Sequence, residues 1–189
     1  MNVEDAIRAR RAKRVFSDRH VGGDEIDALV ESVRLSASCF NNQPWRLVFC
    51  RGPESLESVR TCLAKGNIWA TSAQMIIVVA ARASDDCDLS DRRSYSLFDC
   101  GLAIGQLQLR ATELGMIAHP IAGYDPTRVK QALEIPEEYV VITLVICGYP
   151  GSDDSMLSEK QRTAEQERPV RKPEGENIFF DAWGRSSAD

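Results

Sequence analysis

The sequence predicts an α+β domain, and three segments carry that prediction. Residues 75–81, MIIVVAA, form a continuous apolar run rich in β-branched residues, which is typical of a strand buried on both faces. Residues 139–149, YVVITLVICGY, form the clearest strand in the chain. Residues 94–114 are apolar nearly all round a helix, which indicates a long, central and buried helix. The length of 189 residues fits one domain that spans residues 1–189.

The composition narrows the class of protein. The chain is 43% hydrophobic and 27% charged, so it can bury a sizeable core as a soluble globular protein. Its net charge of −5 argues against a general nucleic-acid binder, because such proteins present an excess of Lys and Arg. No apolar run approaches the ~20 residues that span a bilayer, and the acidic N-terminus MNVEDAIRAR lacks the apolar region of a secretory signal. We therefore expect a cytoplasmic protein with no nucleic-acid or membrane partner.

The first half of the chain predicts two helices, then a strand and a third helix. Residues 3–10 have the pattern of a short amphipathic helix. Two glycines at 22–23 then interrupt the chain, and Asp24 is the predicted N-cap of a helix over residues 25–35. A strand is predicted at 46–50 and a third helix near 54–65.

The second half of the chain predicts further helices and strands. In the long helix, Gly101 and Gly105 lie four residues apart, so one stripe lacks side chains and another backbone can approach closely. A strand is predicted within 116–123, and Asp125 followed by Pro126 marks a helix start.

The C-terminal part, from about residue 152 to 189, is predicted to be a charged tether with an aromatic extension. Its polar composition ends in NIFFDAWG, where Phe179, Phe180 and Trp183 lie close together. Such a tail docks either on a partner subunit or on its own core, and the pattern is compatible with both.

The cysteines and histidines do not predict a metal site. None of the six cysteines forms a CxxC pair, and no histidine lies at zinc-finger spacing, so we expect reduced thiols. His119 lies in a strand-like run and is expected to be a hydrogen-bonded imidazole rather than a catalytic one. The chain also lacks GxGxxG, Walker, GxSxG and HExxH motifs, so any chemistry is expected to come from a bound cofactor.

A basic run follows the first helix. Arg10, Arg11, Lys13 and Arg14 provide four cations within five residues. Such a run is most often a solvated surface. It is also the pattern of a phosphate clamp, because arginine forks bind phosphate bidentately.

Five motifs, in this order, make the chain similar to the FMN-dependent nitroreductase family: RRAKRVF, SASCFNNQPWRLVF, GMIAHPIAGYD, VVITLVICGYP and RPVRKP. The resemblance covers nearly the whole chain. It implies a nitroreductase-like fold, with a central mixed, mainly antiparallel sheet flanked by helices, in an intertwined homodimer. It also implies one non-covalent FMN per active site at the subunit interface.

The resemblance implies a set of cofactor-binding residues. On the phosphate side it places Arg10, Arg11, Ala12, Arg14, Arg168 and Arg171. Near the flavin ring it places Ser38, Cys39, Asn41, Asn67, Ala122 and Gly123, and the loop of Ser38 to Asn41 reaches a flavin held mainly by the other subunit. Asn42, Gln43, Pro44 and Trp45 are expected to shape that loop.

Three positions depart from the family pattern. Ala12 stands in place of a serine, so a hydroxyl contact to phosphate worth ~1 kcal/mol is lost. Ala37 replaces the loop proline, and Cys39 replaces a serine beside the expected ring position. Cys39 is either redox-active or a passive packing residue, and the second role is the expected one.

The implied activity is an NAD(P)H-dependent reduction of nitroaromatic, quinone or related acceptors. The expected mechanism is ping-pong hydride transfer at the flavin N5, with no side chain acting as nucleophile or general acid. The alternatives are a flavin-binding or flavin-free protein without turnover, or a dehalogenase or flavin-consuming branch of the family.

Overall fold

A computed structural model describes residues 1–91 and 93–185. In these residues the chain forms seven α-helices around one sheet of four strands. The helices are α1 (Val3–Ala9), α2 (Gly23–Arg34), α3 (Pro53–Arg60), α4 (Tyr95–Glu113), α5 (Pro126–Ala132), α6 (Glu159–Gln166) and α7 (Glu174–Asn177). The strands are β1 (Trp45–Cys50), β2 (Met75–Ala81), β3 (Ile117–Ile121) and β4 (Val140–Gly148).

The sheet has the strand order β1-β2-β4-β3. Its three pairings are all antiparallel, with Val48 opposite Val78, Val78 opposite Leu144, and Leu144 opposite Ile121. The predicted α+β fold is confirmed, and each predicted strand is present within two residues of its expected bounds. The parallel component of the expected mixed sheet does not occur within the described part of this single chain.

The sheet is covered on both faces because its central strand has two apolar faces. Ile76 and Val78 point into the core shared with α3 and α5. Met75, Ile77 and Val79 point into the core shared with α2 and α4. All seven residues of β2 are buried, as the sequence predicts. Each fully buried aliphatic side chain contributes about 1.5–3 kcal/mol, so this strand is a main source of stability.

Of the two helix caps predicted from the sequence, one is wrong and one is confirmed. Asp24 was expected to cap α2, and this is wrong, because Gly22 adopts the extended cap conformation and Asp24 lies in the first turn. Its negative charge there still interacts favourably with the positive end of the helix dipole. By contrast, Asp125 caps α5 as predicted, and its carboxylate accepts two backbone N–H groups of the first turn.

The third helix is shorter than predicted. It ends at Arg60 rather than near residue 65. The chain then turns, and Leu63 forms an isolated β-bridge with Tyr124. This long-range pairing replaces the last helical turn that local periodicity favours.

The long helix α4 is only half covered by its own chain. One face packs on the sheet, whereas Leu97, Phe98 and Leu102 on another remain 51%, 55% and 39% exposed. The prediction that α4 is buried all round is therefore wrong for one chain. A Cβ atom built on Gly101 or Gly105 meets nothing within 4 Å, so no other backbone of the described residues approaches that stripe. Among the described helices, none has both the length and the apolar content needed to cross a bilayer.

The aromatic end of the C-terminal extension, residues 178–185, stays largely exposed, whereas Leu157 earlier in the extension is buried in the core. Trp183 is 92% exposed, and its ring packs against Phe179 at a centroid distance of 4.9 Å. Phe180 and Ile178 are also exposed. The aromatic tail thus keeps an apolar surface available for another contact.

His119 of β3 connects the sheet to the basic N-terminal segment. The ring is buried, and its Nδ1 lies 2.8 Å from the carbonyl oxygen of Lys13, to which it donates as the neutral tautomer. Burial is the main cause that lowers the pKa of His119 to about 4, and the charges of Arg14 and Arg10 lower it further, although the Lys13 bond acts in the opposite direction. The expected hydrogen-bonded imidazole is confirmed.

The first prediction concerns acid stability. Between about pH 7 and about pH 5 the unfolded imidazole gains a proton that the folded one excludes, so the free energy of unfolding should fall by roughly 2 kcal/mol. Urea unfolding across this range should show the fall in the wild type and a smaller one in His119→Gln. The exposed control His20→Gln should behave as the wild type does. Equal pH dependence in wild type and His119→Gln would contradict this assignment.

Candidate functional site

Five arginines surround one cavity of about 140 Å³. Its lining consists of Arg10, Arg11, Ala12, Arg14, Ala164, Arg168, Pro169 and Arg171. The structure therefore brings together all six residues that the resemblance places on the phosphate side, from opposite ends of the chain. No acidic side chain of the described residues lines the cavity with them.

The N-terminal part of the cavity is an extended segment fixed on two sides. The backbone N–H groups of Arg14 and Val15 donate to the carboxylate of Glu165 on α6, with the shortest bond at 2.9 Å. On the other side, the Lys13 carbonyl accepts from His119. Phe16 then enters the core, where it stacks with Trp69.

The C-terminal part of the cavity is carried by α6. A capping box between Ser158 and Gln161 begins this helix. The Gln161 side-chain amide also donates to the carbonyl of Gly66, at 3.0 Å. The helix end is held by Arg11, whose guanidinium donates to the carbonyls of Ala164 and Gln166 at 3.0 and 3.1 Å. Arg11 therefore has a structural use in addition to the predicted one.

The cavity concentrates positive charge. None of its five arginines forms an ion pair with an acidic side chain of the described chain. Burial, and after it the charges of Arg168 and Arg171, lower the pKa of the Arg10 guanidinium. The guanidinium of Arg14 lies over the Trp69 ring at 5.7 Å, which also favours a cation there. An anion that entered the cavity would relieve this mutual repulsion.

A second group of predicted residues lies beyond the end of β3. The Asn67 side-chain amide donates to the carbonyl of Gly123 at 3.0 Å. A Cβ atom on Gly123 would lie 2.3 Å from that amide nitrogen, so a larger residue would displace Asn67. Ala122 is adjacent and exposed. Gly123 follows His119 by four residues, so extended backbone can separate their Cα atoms by at most about 13 Å.

The third group is the loop that contains Ser38, Cys39 and Asn41. Phe40, Asn41 and Gln43 have positive φ angles of 48°, 59° and 50°, a conformation that non-glycine residues rarely adopt. The loop is held closed because the Ser38 hydroxyl accepts the Gln43 backbone N–H at 3.0 Å. Three residues with positive φ among the four from Phe40 to Gln43 indicate a strained backbone, which is typical of binding and catalytic sites.

The loop is anchored to α4 by a buried acid. The backbone N–H of Cys39 donates to the carboxylate of Asp99 at 2.8 Å, and Asp99 is only 1% exposed. Pro44 and Trp45 are buried behind the loop, as expected for residues that shape it, whereas Asn42 and Gln43 are exposed. Within the described residues no hydrogen bond joins this loop to the arginine cavity. The predicted residues thus form three groups in one chain rather than a single pocket.

Several residues that build these groups were not expected from the sequence. They are Glu165, Gln161, Asp99 and the lysine carbonyl contact of His119. Only Gln161 had a local signal, because Ser158 three residues before it completes a capping-box pattern. The others act through partners far away in the sequence, which residue spacing does not reveal.

Comparison with known proteins identifies the family. The model of the nitroreductase family matches residues 7–67 and 53–149, which together cover most of the chain. The chain belongs to the nitroreductase family. The family resemblance is therefore confirmed, although the fifth motif, RPVRKP, lies beyond the matched residues, and the family is one of oxidoreductases.

Individual relatives agree with the family assignment. A protein of Archaeoglobus fulgidus named "Putative NADH dehydrogenase/NAD(P)H nitroreductase" is 28% identical over 162 residues, which cover 82% of this chain and 90% of that protein. A crystal structure described as an oxidoreductase containing FMN is 25% identical, with a TM-score of 0.82 over 98% of this chain and 95% of the other. A nitroreductase family protein from Clostridium difficile 630 is 19% identical, with a TM-score of 0.80 over 96% of this chain and 99% of that one, and shows the same fold.

Proposed function

We propose that this nitroreductase-family chain binds FMN and uses NAD(P)H to reduce nitroaromatic, quinone or related small acceptors in the cytoplasm. The observation that carries the proposal is the cavity of arginines without acidic partners, which suits the phosphate of a flavin mononucleotide. The relative named as an NAD(P)H nitroreductase and the similar structure containing FMN support the donor and the cofactor.

The residues present fit FMN at both of its ends. Arg10, Arg14, Arg168 and Arg171 would hold the phosphate, with Ala12 contributing no hydroxyl. At the other end, the backbone of Ala122 and Gly123 and the amide of Asn67 would meet the ring. When bound, FMN would supply hydride chemistry at its N5. Ser38, Cys39 and Asn41 would reach the ring of the partner subunit's cofactor.

The chain's own residues would bind and orient rather than react. Asp99 would hold the loop at Cys39, His119 and Glu165 would hold the arginine segment, and no side chain would serve as nucleophile or general acid. Because donor and acceptor would use the same space, the donor would leave before the acceptor enters. This ordering gives ping-pong kinetics.

A homodimer completes the proposal. Its support is the exposed apolar face of α4, with Leu97, Phe98 and Leu102, next to a glycine stripe that another backbone could approach. The exposed Trp183 in the C-terminal extension is further support, because large aromatic residues dominate interface energetics.

The phosphate assignment predicts that Arg10→Ala weakens FMN binding by about tenfold to a hundredfold, because a charge-assisted hydrogen bond contributes ~1.5–3 kcal/mol. Arg10→Lys should lose less, since the charge is kept. Arg51→Ala removes an exposed arginine outside the cavity and is the matched control. The dissociation constant of FMN is measured by flavin fluorescence on apoprotein whose fold is checked by circular dichroism. An unchanged constant in Arg10→Ala would refute the clamp.

The activity predicts a yellow protein that oxidises NAD(P)H only when a quinone or nitroaromatic acceptor is present. Double-reciprocal plots should be parallel when donor and acceptor are varied together, because the two substrates exchange at one position. Converging lines would show a ternary complex and contradict the shared position. Bound flavin without turnover would indicate a non-catalytic flavin protein, and dehalogenation or loss of the flavin itself would indicate another branch of the family.

The shared site predicts that removing all residues after Pro173 weakens the dimer and releases FMN together, because a ligand that prefers the dimer is linked to dimerisation. Light scattering and flavin retention across a dilution series measure both. The matched control is Val170→Ala, an exposed change just before the deleted part. A truncated monomer that retains FMN would contradict the shared site, and an unaltered dimer would contradict the role of the tail.

A further inference from the structure

Two loops bring two cysteines and an aspartate together outside the arginine cavity. Cys39 belongs to the strained loop before β1, whereas Asp86 and Cys87 follow β2. One ligand atom from each residue, two thiol sulfurs and a carboxylate oxygen, lies within 4.8 Å of the other two. The two cysteines are separated by 48 positions, so sequence spacing did not indicate this cluster.

Hydrogen bonds orient the Asp86 carboxylate through one of its oxygens, and the other oxygen has no hydrogen-bond partner among the described residues. Its Oδ1 accepts the Cys87 backbone N–H at 2.8 Å and the Asn42 side-chain amide at 3.3 Å. Its Oδ2 is buried and has no hydrogen-bond partner among the described residues. A buried oxygen of this kind carries a desolvation cost unless something binds it. Ligand carboxylates at metal sites are oriented in the same way, by hydrogen bonds from outside the coordination shell.

Each of the two described arginines near the cluster is already paired with another carboxylate, Arg93 with Asp91 at 2.6 Å. The nearby Arg46 is engaged at 2.9 Å by the carboxylate of Asp85. Two thiols and one carboxylate thus share a small space, and the described arginines beside them are engaged by other carboxylates.

We propose that Cys39, Asp86 and Cys87 bind a Zn²⁺ ion. Two thiolates and a carboxylate are ligands that zinc prefers, and three protein ligands with an open fourth position are typical of zinc sites that keep a water or an exogenous ligand. Zinc–ligand bonds of about 2.0–2.3 Å require the ligand atoms to lie roughly 3.5–4 Å apart, so small side-chain rotations complete the site. On binding, each thiol releases its proton to solvent.

The fourth position has access to solvent. A cavity of about 540 Å³ lies beside Asp86 and Cys87, lined also by Ser84, Arg93 and Tyr95. The ion would tie the loop before β1 to the loop after β2, and a small ligand with a soft or anionic donor atom could reach it from this cavity. The site shares Cys39 with the loop that the proposed function places beside the partner subunit's flavin, but binding of the ion does not require the flavin.

The same atoms permit another reaction, a disulfide between Cys39 and Cys87. The orphan oxygen of Asp86 favours the metal, because a disulfide would leave that oxygen without a partner, whereas a divalent cation satisfies it. A disulfide would also need a thiol oxidant, and both cysteines are free in the structure.

The test uses the full-length protein. After purification it is dialysed against a zinc salt and then against zinc-free buffer. Metal content is measured by mass spectrometry of the elements, and affinity by competition with a chromogenic chelator. Cobalt(II) replaces zinc in a parallel sample, because thiolate-bound tetrahedral cobalt absorbs at wavelengths beyond those of flavin.

The wild type should retain one zinc per chain, with an affinity that falls as the pH is lowered because the ligands must lose protons. Cys87→Ser and Asp86→Asn should weaken binding by more than about a hundredfold, and Asn42→Ala, which removes only an orienting bond, by about tenfold to a hundredfold. The controls Cys62→Ser and Asp88→Asn lie outside the cluster and should bind as the wild type does.

Three results would overturn the proposal. They are a wild type that retains no more zinc than Cys87→Ser, a cobalt complex without thiolate absorption, and a Cys39–Cys87 disulfide in the protein as purified. If Cys87→Ser does not fold, the wild-type measurement and Asn42→Ala still decide the question. FMN content is recorded in the same samples, so loss of flavin and loss of zinc are scored separately.

Discussion

The segment from Arg10 to Phe16 has to be held in place for the arginine cavity to keep its lining. Two contacts do this from opposite sides, the neutral imidazole of His119 on the Lys13 carbonyl and the Glu165 carboxylate on the next two backbone N–H groups. The Glu165 carboxylate accepts backbone N–H groups and forms no ion pair with an arginine. Among the described residues, the arginine side chains of the cavity therefore have no acidic partner. The same contacts that stabilise the fold therefore keep the cavity positively charged.

The sequence predicts those parts of the fold that depend on local pattern. The run in β2 needs burial on both faces wherever it lies, and Asp125 before Pro126 starts a helix in almost any context, so both are correct. Local pattern fails where a distant partner decides. The bridge of Leu63 to Tyr124 ends α3 early, Gly22 replaces Asp24 as a cap, and no other described element covers the exposed face of α4.

The candidate site likewise combines residues that the sequence predicts with residues that it does not predict. The motif resemblance named six of the eight residues that line the arginine cavity, because they lie in two short motifs, RRAKRVF and RPVRKP. It did not identify Glu165 or Asp99, since a carboxylate that accepts a backbone N–H has no spacing of its own. The approach of Cys39 to Cys87 likewise arises from the geometry of two loops.

The arginine cavity lies in a protein whose net charge is −5. At physiological ionic strength the field of an exposed charge decays over about 8 Å, so a compact dianion inside the cavity experiences mainly the arginines. A long polyanion would extend past the cavity onto the acidic remainder of the surface and be repelled there. This distribution of charge would favour compact anions over long ones without a steric barrier.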